Sequence, residues 1–433
     1  MIADVPIIYS AAAIPAADGQ KISGLSAIDL FAAADRARAI GRDDDALALY
    51  TALSHDPDGD IRAEARFRQG MLLAELKRHA EAATSFRALL DEKPDATRAR
   101  LELARVLAAI GDQAAARRAL RQAQAAHLPP QVALAVDQFA NALRSPKTLG
   151  GSLELALAPD SNINRATAAR TLDTVIAPLT LSEDARARSD IGANIAAQVY
   201  SRVRLGEQLA VVPRLSGLGN FYRASAFNDV SASALLGLEW QAGGRQVVPS
   251  VGYTWRWYGP NLYARTQTFT IDAVQPLTRR SQLSIKASAS RVRYVASALQ
   301  NGALFDVRFV LEHALSARSG LGGSVGVTRQ TAQDPGYATM AGEIATFGWL
   351  DIRRATLFAS TSVRRTEGDA RLFLFADRRR EWLYRASGGV TLRSLTIHGF
   401  APFTRITWER NQSTIGLYDY RRLSTGFGIT RAF

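Results

Sequence analysis

The chain has 433 residues, of which 47% are hydrophobic, and a formal net charge of +13. It has no cysteine, which excludes disulfides, thiolate zinc sites and cysteine nucleophiles. Positions 26–144 carry 17 basic and 17 acidic residues, whereas positions 150–433 carry 34 and 21, so the whole excess is scattered through the second part and forms no patch of the kind that binds nucleic acid.

The first stretch, "MIADVPIIYSAAAIPAADGQ", is apolar but has no positive leading region. Residues 1–25 read as a disordered segment, as the remnant of a signal peptide, or as a mature start bearing an initiator Met. No run of 18 apolar residues occurs, so no transmembrane helix is expected.

From 26 to 144 the hydrophobic period is helical and the sequence repeats. Gly70 and Ala104 lie 34 apart, as do Ala82 and Ala116; Phe86 answers Leu120, and Leu89 answers Ala123. A more divergent copy precedes them, with Ala34, Ala46, Tyr50 and Leu53 before Pro57, offset by 36 from the next. Small residues at these places let two antiparallel helices approach, and the large ones fill the space behind. Three tetratricopeptide-type helix pairs are expected, closed by Pro57, Pro94 and Pro129, with 131–143 as a capping helix. In that geometry the first helix of each pair lines a concave surface. Asp35, Arg38, Met71, Arg98 and Arg105 would point into it and could face a cargo protein; for each of them a solvated helix face is the plainer alternative.

After a linker at 145–151 the period changes to two. In "ALFDVRFVLEHAL", Phe305, Val307, Phe309 and Leu311 oppose Asp306, Arg308 and Glu312. In "EWLYRASGGVTLR", Trp382, Tyr384, Val390 and Leu392 oppose Arg385, Ser387, Thr391 and Arg393. Short turns such as "AGGRQ" and "LTRRSQ" alternate with longer polar insertions, the longest at 161–189. About fourteen strands are expected over 152–433, with short turns on one side and long loops on the other, which is the layout of an outer-membrane β-barrel. The strands average about twice the length usual in a soluble sandwich. Asp306, Arg308, Glu312, Arg385 and Arg393 then become candidate lumen charges. Tyr200, Trp255, Trp257, Trp349, Trp382 and Trp408 become candidates for interfacial aromatic girdles. The chain ends on a strand whose apolar face presents Phe427, Ile429 and Phe433, with Arg431 as the exception. Such an ending is similar to the signal read by the barrel-assembly machinery.

At the junction stands "LELALAPDSNINRAT", in which the first strand runs into Asp160, Ser161, Asn162 and Asn164. A helical repeat domain, a fourteen-strand barrel, this D-S-N-x-N motif and the arginine-rich "LFADRRREW" loop together resemble the surface lipoprotein assembly modulator (Slam) family of type XI secretion translocons. The resemblance covers 26–433. It implies an α + β membrane protein in the outer membrane of a Gram-negative bacterium. The α-solenoid would lie in the periplasm and engage a cargo lipoprotein, a small secreted protein or their chaperone. It also implies the barrel-assembly machinery, outer-membrane lipid and a TonB-dependent receptor as partners. No catalytic residue, cofactor or metal is implied, and nucleic acid is not expected.

Other readings compete. An exopolysaccharide export conduit would have a longer repeat array, about sixteen strands and a lumen of one charge sign. An anion-preferring porin needs an unplugged lumen. A barrel hydrolase needs an acid–base pair at the outer rim, whereas His313 and His398 both fall beside short turns. Short Asx and Ser side chains also build local turns, so a loop-folding role for the junction motif stands beside cargo contact.

Overall fold

The computed structural model describes residues 14–15, 21–22, 26–125, 149–316, 318–352, 355–392, 395 and 400–432. The expected capping helix at 131–143, Arg393, His398 and Phe433 lie outside the described residues.

Among the described residues six α-helices precede the barrel: α1 (Ala27–Ala39), α2 (Asp43–Leu53), α3 (Gly59–Glu75), α4 (His79–Glu92), α5 (Thr97–Ile110) and α6 (Gln113–Ala125). Starts and stops follow local chemistry. Ser26 caps α1 in a reciprocal capping box with Asp29. Gly111 ends α5 at φ +93°, a conformation that only glycine enters freely. The helices pack as three successive pairs around one apolar core. The repeat positions are the tightest contacts: Ala34, Ala46, Ala82 and Ala104 are fully buried, with Tyr50, Leu53 and Phe86 beside them. Gly70 is dictated by Phe86, since a Cβ there would meet the ring at 2.7 Å. The arrangement is consistent with a tetratricopeptide-type solenoid.

Fourteen long strands follow. They are β1 (Leu149–Asp160), β2 (Asp190–Ser201), β3 (Leu209–Phe221), β4 (Asp229–Ala242), β5 (Arg245–Tyr258), β6 (Asn261–Pro276) and β7 (Ser281–Tyr294). They continue as β8 (Gly302–Ala314), β9 (Ser319–Gln330), β10 (Thr339–Ile352), β11 (Ala355–Arg371), β12 (Arg378–Leu392), β13 (Ala401–Ser413) and β14 (Tyr420–Ala432). Each pairs antiparallel with the next, and β14 pairs with β1, so the sheet closes on itself. Closure removes the open edges that hydrocarbon would not tolerate.

Alternation sorts the side chains. On β8 the exposed Phe305, Val307, Phe309 and Leu311 form the outer face, and Asp306, Arg308 and Glu312 turn inward. Ladder partners share a face, so the assignment carries round the barrel. At one end the connections are tight. Gly243 and Gly244 both take positive φ in the two-residue turn between β4 and β5, as that hairpin type requires. The other end carries the long loops.

Two expected girdle residues behave otherwise. Tyr200 and Trp349 turn inward at the short-turn end and are covered, Trp349 being 8% exposed. Their parity places them opposite the lipid face, and α6 lies against them. Trp382 and Trp408 do stand on the outer face.

Candidate functional site

A helix lies across the short-turn mouth of the barrel. Arg117 Nη1 of α6 donates to Gln246 Oε1 of β5 at 3.0 Å. Gln122 Nε2 donates to Asp351 Oδ2 of β10 at 3.2 Å. The Tyr200 hydroxyl of β2 donates to the Gly111 carbonyl, just before α6, at 3.0 Å. Arg118 sits 5.8 Å over the Trp349 ring. Strands β2 and β10 stand on nearly opposite sides of a fourteen-strand ring, so these contacts tie the helix to both walls. Thirteen residues of helix span about 20 Å. Burial pulls the Arg117 guanidinium below its ordinary pKa, while the charges of Glu239 and Glu312 on the barrel wall act the other way.

Above this helix the lumen is polar, and several of its arginines are paired with carboxylates, although the buried Nε of inward Arg214 has no hydrogen-bond partner. Arg308 donates to Glu343 at 3.1 Å, and Arg364 lies 3.7 Å from the other oxygen of the same carboxylate. Arg308, Gly326 and Glu343 share one rung across β8, β9 and β10. Arg308 reaches across Gly326, where even a Cβ would stand at ordinary contact distance, 3.6 Å, from its Nε. Thr328 donates to Asp306 at 2.8 Å. Arg405 meets Glu154 at 3.4 Å, and Arg202 meets Glu239 at 2.9 Å.

The long-loop end is held by the junction motif and by the seam between first and last strands. Asp160, at the end of β1, is buried and accepts from Arg422 of β14. The Ser161 hydroxyl accepts from the Leu423 N–H at 2.8 Å, and the Ser161 N–H donates to the Leu423 carbonyl. Asn162 is 1% exposed; its amide donates to the carbonyls of Ala166 and Arg421, and its oxygen accepts from the Ala166 N–H. Asn164 donates to the Asp184 and Arg186 carbonyls, which ties the outgoing arm of the 161–189 loop to its return. Each polar residue of the motif is thus hydrogen-bonded within the outer end of the barrel.

Glu409 of β13, 2% exposed, gathers the arginines around this motif. Arg385 of β12 donates to it at 3.0 Å, Arg165 of the loop at 3.2 Å, and Arg422 stands at 3.4 Å. Arg165 takes φ +49°, unusual for a side-chain-bearing residue, in the turn that brings its guanidinium to Glu409. The loop then reaches over the outer end. The Val175 N–H donates to the Leu374 carbonyl, and Leu172 packs against Gly416.

On the helices, the candidate cargo-facing residues occupy a side shared by α1, α3 and α5. Asp35 accepts from Tyr50 at 2.9 Å and from Arg68 at 2.8 Å. Burial, and then that hydrogen bond, pushes the Tyr50 phenol up to about 12. Arg38 bridges to Glu75 at 2.5 Å, Arg98 lies 4.9 Å over the Phe67 ring, and Arg105 pairs with Glu102 at 2.7 Å. Met71 packs on the core. Phe427 and Ile429 stand on the outer face of β14. Residues that sequence reasoning did not single out are Arg422, Glu409 and Arg165 at the seam, and Arg117, Arg118 and Gln122 on α6. The alternation of β13 and β14 puts Glu409 and Arg422 inward, but only the register makes them neighbours.

The profile of the surface lipoprotein assembly modifier family matches residues 151–433. No curated protein matches the chain. Similar solved structures include a loop-deletion mutant of OmpT, an outer membrane protein of Vibrio cholerae, at 7% identity and TM-score 0.37, covering 66% of this chain and 99% of that one. The anion-selective porin from Comamonas acidovorans matches at 9% identity and TM-score 0.36, over 66% and 99%. The Pseudomonas putida toluene transporter TodX matches at 9% identity and TM-score 0.38, over 66% and 90%.

Proposed function

This chain belongs to the surface lipoprotein assembly modifier family, and from that premise we propose that its barrel moves a lipoprotein or small secreted protein to the cell surface. The protein is an outer-membrane barrel, and its family and barrel fold resemble those of transporters. The helices stand on the periplasmic side, where the short turns lie. Their shared α1/α3/α5 side, with Asp35, Arg38, Met71, Arg98 and Arg105, engages cargo or its chaperone. In this reading α6 is the gate: it lies across the inner mouth and moves aside when the solenoid is loaded.

The observation that carries this reading is the position of α6, hydrogen-bonded to β5 and β10 across the mouth. A passive porin needs an open path, and a helix anchored on both walls is at odds with one. The lumen carries charges of both signs, several of them paired, which speaks against a conduit of a single charge sign and suits the passage of a polypeptide of mixed charge.

The test is surface exposure. The protein is co-expressed in a heterologous Gram-negative host with lipoproteins and small secreted proteins encoded beside it, and protease is added to intact cells. Cargo digested or released only when this chain is present supports the translocon. If every neighbouring candidate stays protected while the barrel is folded in the outer membrane, the reading fails.

A further inference from the structure

Most arginines near the long-loop ends of the strands have carboxylate partners. Arg256 pairs with Asp229, Arg329 with Asp369, and Arg410 with Asp419. Arg265, Arg291 and Arg293 differ. All three are exposed, and none of their guanidiniums has a carboxylate or hydrogen-bond partner among the described residues. They sit on adjacent strands. Arg265 of β6 is directly opposite Arg293 of β7, and Arg291 is opposite Gln267 one rung-pair along. Like charges face to face across a ladder repel. Such a pair calls for an anion between its members.

The ladder also fixes which way they point. Arg265 alternates with Phe269 and Ile271 of the outer face, and Arg291 and Arg293 with Ala289, which is opposite Phe269. All three therefore project outside the barrel. Trp255 is opposite Arg265 and Tyr253 is opposite Gln267, with their rings 4.6 Å apart. Outward Trp and Tyr at strand ends mark headgroup level. Directly toward the membrane centre is an outer-face groove of about 880 Å³, lined by Leu236, Val251, Phe269, Ala289 and Phe305, with Arg291 at its edge. Small Ala289 between two phenylalanine neighbours makes the depression.

Cations at headgroup level above an apolar groove match one kind of amphiphile. We propose that Arg265, Arg291 and Arg293 bind a phosphorylated glycolipid of the outer leaflet, lipid A, with its phosphates on the guanidiniums and an acyl chain in the Phe269–Phe305 groove. Guanidinium forks suit phosphate oxygens, and they are less strongly hydrated than ammonium groups at a membrane boundary. The long-loop end faces the leaflet where this lipid resides. The contact is independent of what the lumen carries.

The test uses the purified full-length protein in detergent, with bound lipid counted by native mass spectrometry. The probes are bisphosphorylated lipid A, the same lipid with both phosphates removed, and phosphatidylglycerol as competitor. Three arginines at an anionic surface correspond to about a hundredfold in affinity at low salt. The native protein should therefore hold bisphosphorylated lipid A far more tightly than the dephosphorylated form. The R265Q/R291Q/R293Q variant should lose that preference, and Arg245→Gln at the opposite rim should keep it. Equal retention of both lipid A forms by the native protein overturns the proposal and needs no variant to fold. So does an unchanged preference in the triple variant, or displacement by phosphatidylglycerol at equal concentration.

Discussion

Asp160 on the first strand and Arg422 on the last are joined by three hydrogen bonds, from Nε at 3.0 and 2.9 Å and from Nη2 at 2.5 Å. The two residues are 262 positions apart, and their pairing fastens the outer end of the seam that closes the barrel. Next to it the β1–β14 ladder is interrupted. Pairing runs from Ser152↔Ala432 to Leu157↔Phe427 and resumes only at Asp160↔Ser424. Pro159, which brings no N–H, lies within the interruption. The ion pair stands just beyond the gap, where the ladder resumes at Asp160, and reinforces the seam there.

Removing one partner leaves a buried charge without its counterion. Arg422→Gln is expected to cost about 3–5 kcal/mol. It should lower the temperature at which the barrel loses its compact migration on unboiled gels. The double variant Asp160→Asn/Arg422→Gln should recover part of the loss. If the two single losses simply add, the pair is not coupled.

Lower on the same seam, Gly428 allows no side chain. A Cβ there would lie 2.1 Å from the Leu155 carbonyl oxygen and 2.7 Å from Ala156 Cα, both on β1. Gly428→Ala should cost about 1–3 kcal/mol of overpacking and reduce the folded fraction at the outer membrane. Gly426→Ala is the control, because its Cβ would meet only Phe403, at 3.9 Å. Equal folding of the two variants would mean that the seam has slack.

The position of α6 makes a prediction about current and export. The native chain in a planar bilayer should conduct little, and the R117A/R118A/Q122A variant should open larger, longer-lived steps. With no cysteine in the chain, Gln122→Cys and Asp351→Cys can be joined by a reducible thiol-reactive crosslinker long enough to replace both side chains, which meet at their tips. Crosslinking should keep conductance low and stop cargo exposure, and reductant should restore both. Export that continues through the crosslink would rule out α6 as a moving gate.

The helical region carries its own pH dependence. Burial alone would raise the Glu92 carboxyl, but hydrogen bonds from Arg66 and Arg62 outweigh it, so its pKa falls below the ordinary value. A lowered folded-state pKa means the stabilisation is complete above the unfolded-state value and is lost as pH falls through the folded one. Helical circular dichroism of the full chain should melt at progressively lower temperature below about pH 4.5. Glu92→Gln should remove about 1.5–3 kcal/mol at neutral pH and flatten that acid dependence.

The sequence by itself determined the two regions, their periods and the closed fourteen-strand sheet. A helical repeat and a period-two alternation are local properties, and each strand declares its lipid face through residues such as Phe305 and Phe309. Its charged lumen residues are declared by the same alternation. What it could not determine is which lumen charge meets which. Glu409, Arg385 and Arg422 sit on three strands, and a slip of two residues would keep every face and break every pair. Only the register decided that. Turn chemistry was one of two readings the D-S-N-x-N motif offered, and its partners Leu423 and Arg422 came from the far end of the chain. Tyr200 and Trp349 misled because an inward aromatic and a girdle aromatic look alike at a strand end; the helix that covers them arrives from a different part of the chain. The tertiary structure alone brought α6 to the mouth, since a helix that ends a repeat carries no local mark of the surface it will close.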